Sequence, residues 1–293
     1  MNSAMDTPVL TYKLEPSTPM LRLPAGACDA HCHIFGPATR FAYAPERHTT
    51  PADAPKEALF ALHRQLGITR CVVVQSLVHG YDNAVVEDAI SAGGGNYLGV
   101  ALTPVNVADA ELRRLALAGF RGVRFHFMKG LKNEAATVEE VINFSHRLAP
   151  LGMHLQLHFD GQYIHELAPA FARSAVPVVI DHMARVDASK GAQHADFRAL
   201  MALMRNTLMY VKVSGSDRVG KAWPYDDAVL LARELVQTWP GRCFWGTDWP
   251  HPNHTHIPDD GQLVDLIARI APTPALMQQL MVSNPGNFYR FDA

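Results

Sequence analysis

Eight short apolar runs recur along this chain of 293 residues, at about 27–33, 70–76, 97–103, 121–127, 153–159, 176–182, 208–214 and 242–248. Between them lie stretches with helical spacing. Lys56–Leu66 is the clearest, with Leu59, Leu62 and Leu66 on one face. The others are Asn83–Ala92, Ala108–Ala118, Val138–Leu148, Gln162–Arg173, Phe197–Arg205 and Tyr225–Thr238, with Asp260–Ile270 and Pro274–Val282 after the last run. Strand–helix alternation implies parallel strands, because each helix carries the chain back across the sheet. Eight such units, in a chain near the ~250 residues common for the architecture, predict a single (β/α)8 TIM barrel. A doubly wound open sheet could hold the same alternation, but no Gly-rich phosphate turn follows the first strand. Gly119, Gly152 and Gly241 fall between helix and strand, where a left-handed cap suits glycine. Residues 1–24 read as an extended lead-in and 25–293 as the barrel, with no low-complexity linker dividing them.

Composition narrows the function classes. Net charge is -2 and no basic run exceeds two residues, so no nucleic-acid or membrane surface is expected. The start is polar and proline-containing, without an apolar signal core. Cys28, Cys32, Cys71 and Cys243 sit in or beside apolar runs and read as reduced thiols of a cytoplasmic protein. A homo-oligomer is compatible with this composition.

Polar residues cluster by position. His31 and His33, Gln75 and His79, Arg124 and His126, His158 and Asp160, Asp181 and His182, Ser214 and Arg218, and Asp248 all fall at the C-terminal ends of expected strands. Barrel active sites are built there. Any one buried histidine is more often a hydrogen-bonded core residue than a functional one. The set is harder to explain that way, because core packing gives polar residues no reason to choose one end.

His31 and His33 share parity, so both rings should point inward with Cys32 facing the helices. By the same alternation Phe244, Gly246 and Asp248 should share the inner face of the last strand, while Trp245 and Trp249 pack toward the outer helices. His31, His33, His158 and Asp248 supply three nitrogens and an oxygen, a set suited to a divalent metal, zinc first and manganese second. Asp29 or Asp181 could orient the ring N–H groups. Without metal, Asp248 could serve as base beside histidines that polarise a carbonyl. Arg124 and Arg218 suit bidentate recognition of a carboxylate, or an ion pair with Asp160 or Asp217. Gln75, His79, Lys129 and Asn253 are candidate rim residues for substrate. No Gly-x-Ser-x-Gly turn is present.

These residues resemble the amidohydrolase superfamily, and within it the branch of 2-pyrone-4,6-dicarboxylate hydrolases. The likeness runs from about Leu23 to Tyr289. It rests on Asp29-Ala30-His31-Cys32-His33-Ile34-Phe35-Gly36-Pro37, Gly122-Val123-Arg124-Phe125, Val179-Ile180-Asp181-His182-Met183 and Trp245-Gly246-Thr247-Asp248-Trp249-Pro250-His251-Pro252-Asn253. It implies a barrel in which water attacks a lactone carbonyl, with Asp248 as general base. His31, His33 and His182 would polarise the carbonyl, and Arg124 and Arg218 would grip substrate carboxylates. Two departures stand out. Lys129-Gly130 replaces the family's Lys-Arg pair, and His158 stands where the dicarboxylate hydrolases have tyrosine and metal-binding relatives have histidine.

The expected function is therefore hydrolysis of a carboxylated or sulfonated lactone in aromatic catabolism, such as 2-pyrone-4,6-dicarboxylate or a muconolactone derivative. Branch analogy implies metal-free catalysis, whereas His158 favours zinc. Two other readings stay open at this level. One is a zinc-dependent decarboxylase or hydratase of a ring-cleavage product; the other is a non-catalytic barrel that binds an aromatic acid.

Overall fold

The computed structural model describes residues 8–128, 136–252 and 256–291. Eight strands form one parallel sheet in the order of the chain: β1 Cys28–Cys32, β2 Arg70–Val74, β3 Tyr97–Leu102, β4 Phe120–Phe127, β5 His154–Phe159, β6 Val178–Ile180, β7 Met209–Lys212 and β8 Cys243–Phe244. Three backbone bonds close the ring between the last strand and the first. Ala30 donates to Trp245 at 2.9 Å, Asp248 to His31 at 2.8 Å and His33 to Trp249 at 2.6 Å. The helices are α1 Lys56–Leu66, α2 Ala84–Ala92, α3 Asp109–Leu117, α4 Val138–Leu148, α5 Ile164–Phe171, α6 Ala195–Leu203, α7 Ser216–Val219, α8 Asp226–Thr238, α9 Asp260–Asp265, α10 Ile267–Ile270, α11 Pro274–Gln278 and α12 Asn284–Tyr289. The expected barrel is present, and each expected helical stretch holds a helix. No helix of the described residues is long and apolar enough to cross a membrane.

Alternation of side chains sorts each strand into two environments. Along β5, Leu155, Leu157 and Phe159 pack against the helices, leaving His154, Gln156 and His158 to the interior. Along β7, Met209, Val211 and Val213 pack outward and Lys212 turns in. A smaller cluster, including Val72, Val100, Val179, Phe244, Tyr289 and Phe291, fills the lower barrel. Trp245 and Trp249 belong to the outer cluster, and the Trp249 ring meets Tyr12 of the lead-in edge-on at 4.9 Å.

Two strand ends depart from simple alternation. The register of β1 against β2 shifts between Asp29 and Cys32, so Ala30 joins the lower cluster while His31 and His33 still face the mouth. A bulge of this kind re-aims a side chain. The last strand ends at Phe244, four residues earlier than expected, and Asp248 has φ 63°. Asp248 therefore reaches the interior through a left-handed backbone rather than strand parity. Thr247 makes the turn: its Oγ1 donates to Asp29 and accepts from the Trp249 amide, which ends regular pairing.

Candidate active site

At the C-terminal mouth, Asp248 Oδ1 lies 3.6 Å from His31 Nε2, 3.4 Å from His33 Nε2 and 3.6 Å from His182 Nε2. Its other oxygen accepts from Arg218 Nε at 3.0 Å and from Arg218 Nη2. Burial pushes the Asp248 carboxyl up, but Arg218, His182, His33 and His31 together hold it well below the usual carboxylate range. Burial also keeps the His182 and His158 rings neutral, far below the ordinary histidine range. The His31 ring is lowered to about 3, by burial first and then by Lys212. The centre thus sets an ionised carboxylate against the His31 and His182 rings, which burial keeps neutral.

The backbone that delivers His182 is unusual. Residues His182, Met183, Ala184 and Arg185 all have φ between 47° and 56°. A left-handed non-glycine residue costs roughly 1–2 kcal/mol. Four in succession persist only where the surroundings over-determine them, a feature that marks functional sites. The turn sets His182 against Ser214 Oγ, 3.0 Å from its Nδ1, and brings Arg185 to the cavity three residues later.

Beneath the mouth lies a polar layer. Arg124 donates to Asp181 Oδ2 at 2.8 Å and to His158 Nδ1 at 3.0 Å. Gln156 also donates to Asp181 Oδ2, at 3.2 Å. Lys212, fully buried, donates to Gln156 Oε1 at 2.8 Å and to His31 Nδ1 at 3.0 Å. Burial lowers the Lys212 ammonium to about 8. The Asp181 carboxyl, which burial would raise, is held well below its usual range by Arg124, His31 and Lys212.

These contacts test the donor set for a divalent metal. His33 Nδ1 sits 2.7 Å from the Val74 carbonyl, so in the neutral ring it carries the proton and Nε2 is bare. That nitrogen stands 3.4 Å from the Asp248 oxygen, a contact that is favourable only with a ring proton or a cation between the two. His31 Nε2 and Asp248 Oδ1 are likewise buried without a hydrogen-bond partner. His31, His182 and Asp248 bring one ligand atom each to within 4.8 Å of one another, a cluster that fits a divalent cation. His158 is placed differently from the expectation. A guanidinium can only donate, so His158 Nδ1 accepts from Arg124 and its Nε2 carries the hydrogen. His182 stands in the cluster where sequence reasoning put His158.

A cavity of about 350 Å³ opens above the carboxylate. Its described lining includes Arg47, Arg124, Arg185 and Arg218, and Asp248 is its one acid. Arg124 pairs with Asp181, and Arg218 with Asp248. Arg185 faces Asp160 at 3.2 Å, yet its Nε has no hydrogen-bond partner among the described residues.

Other expected residues lie elsewhere. Gln75 donates to the Asp82 carbonyl and accepts from the Ser76 amide, and does not line the cavity. His79 accepts from the Gly36 amide at 3.2 Å and bonds the Ala42 carbonyl at 3.0 Å, so both nitrogens hold backbone. Asp29 turns away from the cavity to the His31 and Thr247 amides and His63. Lys129 and Asn253 lie outside the described residues. Sequence reasoning missed Lys212, Gln156 and Arg185. A lysine inside the apolar run Met209-Tyr210-Val211-Lys212-Val213, with the parity of Ser214, was the available signal for the first.

Comparison with known proteins gives the family. The amidohydrolase family model matches residues 28–291. 2-Pyrone-4,6-dicarboxylate hydrolase of Comamonas testosteroni is 44% identical over 291 residues, covering 96% of this chain and 95% of that protein. 4-Sulfomuconolactone hydrolase of Hydrogenophaga intermedia is 36% identical over 274 residues, 91% of this chain and 89% of that one. A solved structure of a putative 2-pyrone-4,6-dicarboxylic acid hydrolase from Pseudomonas putida superposes with a TM-score of 0.80 at 27% identity, covering 92% of this chain and 100% of that one. With its family model spanning the barrel and hydrolases among its relatives, the chain belongs to the amidohydrolase family and is an enzyme.

Proposed function

We propose that the protein hydrolyses a small lactone bearing a carboxylate or sulfonate, as its relatives' names suggest for aromatic catabolism. One observation carries the reading: an ionised, buried carboxylate faces the neutral His31 and His182 rings at the floor of a cavity lined by arginines. A 350 Å³ cavity is of a size that holds a small ring compound.

In this mechanism Asp248 Oδ1 takes a proton from water as the oxygen attacks the lactone carbonyl. His158, whose Nδ1 accepts from Arg124, and His31, whose Nδ1 accepts from Lys212, each carry the hydrogen on Nε2 and donate toward the carbonyl oxygen or a neighbouring substrate oxygen as charge develops. The ring C–O bond then breaks, and the proton returns to the leaving oxygen. Water is consumed and one open-chain hydroxy acid, or its keto tautomer, is formed. Arg218 keeps Asp248 ionised and oriented, and Arg185 reads the anionic substituent with a guanidinium less committed to protein partners than Arg124 or Arg218.

Zinc is the metal that three imidazoles and a carboxylate suit best; His31, His33, His182 and Asp248 would hold it, His31 only with its ring hydrogen on Nδ1 rather than Nε2. When bound, it would supply an acidified water and polarise the carbonyl. The test of function is turnover of 2-pyrone-4,6-dicarboxylate and 4-sulfomuconolactone, followed by loss of lactone absorbance. Failure to open either ring, or equal turnover of an uncharged lactone, would overturn the proposal.

A further inference from the structure

His31 Nδ1 has two neighbours that demand opposite things of it. Lys212 Nζ is 3.0 Å away, and an ammonium has no lone pair, so it can only donate. Asp181 Oδ1 is 3.2 Å away and, as a carboxylate, can only accept. Asp181 Oδ1 makes no contact of hydrogen-bond geometry, with Lys212 Nζ also 3.6 Å from it, whereas the Lys212 contact with His31 Nδ1 has that geometry. In this arrangement the lone pair of Nδ1 therefore belongs to Lys212, and the ring hydrogen sits on Nε2, pointing at Asp248. A ring in that state donates to an oxygen and cannot ligate a metal through Nε2. His33 is the opposite case, because Val74 takes its Nδ1 hydrogen and leaves Nε2 bare.

We propose that Lys212 is a positioning residue that holds His31 as a hydrogen-bond donor toward the cavity, and that its bond to His31 Nδ1 opposes capture of a divalent cation by the His31–His182–Asp248 cluster. The alternative state is built into the same site. If the ring hydrogen moves from Nε2 to Nδ1, Asp181 Oδ1 is in place to accept it and Nε2 is freed for a cation. The proton count of the ring is unchanged, and Lys212 keeps Gln156 Oε1 at 2.8 Å. One buried side chain therefore biases the cluster between hydrogen-bond and metal chemistry. The inference rests on the cluster being the reacting centre, but it concerns proton position and cation affinity.

Two measurements test it without turnover, so it can fail while lactone hydrolysis stands, and the reverse. The first is ¹⁵N NMR of histidine-labelled, metal-stripped native protein, with His31 assigned by comparison with His31→Asn. We expect a protonated Nε2 and an accepting Nδ1; a protonated Nδ1 overturns the proposal. The second is zinc affinity by equilibrium dialysis against buffered zinc for native protein and Lys212→Met. Removing a charge-assisted hydrogen bond should tighten zinc binding about tenfold or more. Equal or weaker binding by a folded Lys212→Met protein overturns it, and the NMR measurement decides the matter if that variant does not fold.

Discussion

The two oxygens of Asp248 face different partners: Oδ2 takes the Arg218 guanidinium, and Oδ1 faces three imidazole nitrogens. Asp248→Asn keeps the shape but removes the basic oxygen, so kcat should fall by ~10²–10⁴-fold with an unchanged circular dichroism spectrum. A variant retaining more than about a tenth of the rate would assign the base elsewhere. Arg185→Met should act on KM. It removes a charged contact made in ground and transition states alike, so KM for a carboxylated lactone should rise roughly 10–100-fold with kcat little changed. An unaltered KM would show that Arg185 does not touch the substrate. Arg124→Met should be less clean, because it also strips a partner from Asp181 and from His158.

Among the elements, the seam between β8 and β1 determines whether base and histidines meet. Gly246 lies against that seam: a Cβ there would stand 2.5 Å from the His31 amide and 2.8 Å from Asp29 Oδ1. Both are held atoms, since Asp29 ties the His31 and Thr247 amides together. Gly246→Ala should therefore wedge the strands apart, costing about 1–3 kcal/mol of stability and most of the activity. Denaturant titration alongside an activity assay checks this; a fully active, fully stable variant would contradict the account. His33 belongs to the same seam through its amide bond to Trp249.

For the molecule as a whole, the buried histidines couple folding to pH. His31 and His154 titrate near 3 in the fold, chiefly through burial, against about 6.5 in the unfolded chain. Between those values the unfolded state binds more protons, so stability falls as pH drops. It should be fully present above about pH 6.5 and decline progressively toward pH 3, with His126, His158 and His182 adding to the slope. Urea midpoints measured from pH 7.5 down to 4.5 should decrease steadily, and a level series would refute the coupling. Activity should follow a different course, because the Asp248 carboxyl lies well below its usual range. The kcat/KM profile should stay level between about pH 5 and 7, and an inflection near 6.5 would point to a titrating histidine instead.

Periodicity was enough to determine the alternating strands and helices and the end at which polar residues gather, because both periods are local properties of the chain; the count of eight units and the missing Gly-rich turn favoured a barrel over an open sheet. His31, His33, Arg124, His182, Arg218 and Asp248 were legible for the same reason: each is a polar residue at the end of an apolar run. What each ring or guanidinium does was not legible. Arg124 takes His158 Nδ1 and so commits that ring as a donor; His79 and Gln75 spend their polar atoms on backbone; Lys212 and Arg185 reach the centre from the last residue of β7 and from a left-handed turn. These outcomes depend on which atoms meet across strands far apart in sequence, as Lys212 and His31 do at 181 residues' separation. Hydrogen-bond direction is settled by such encounters, and only the folded barrel brings them about.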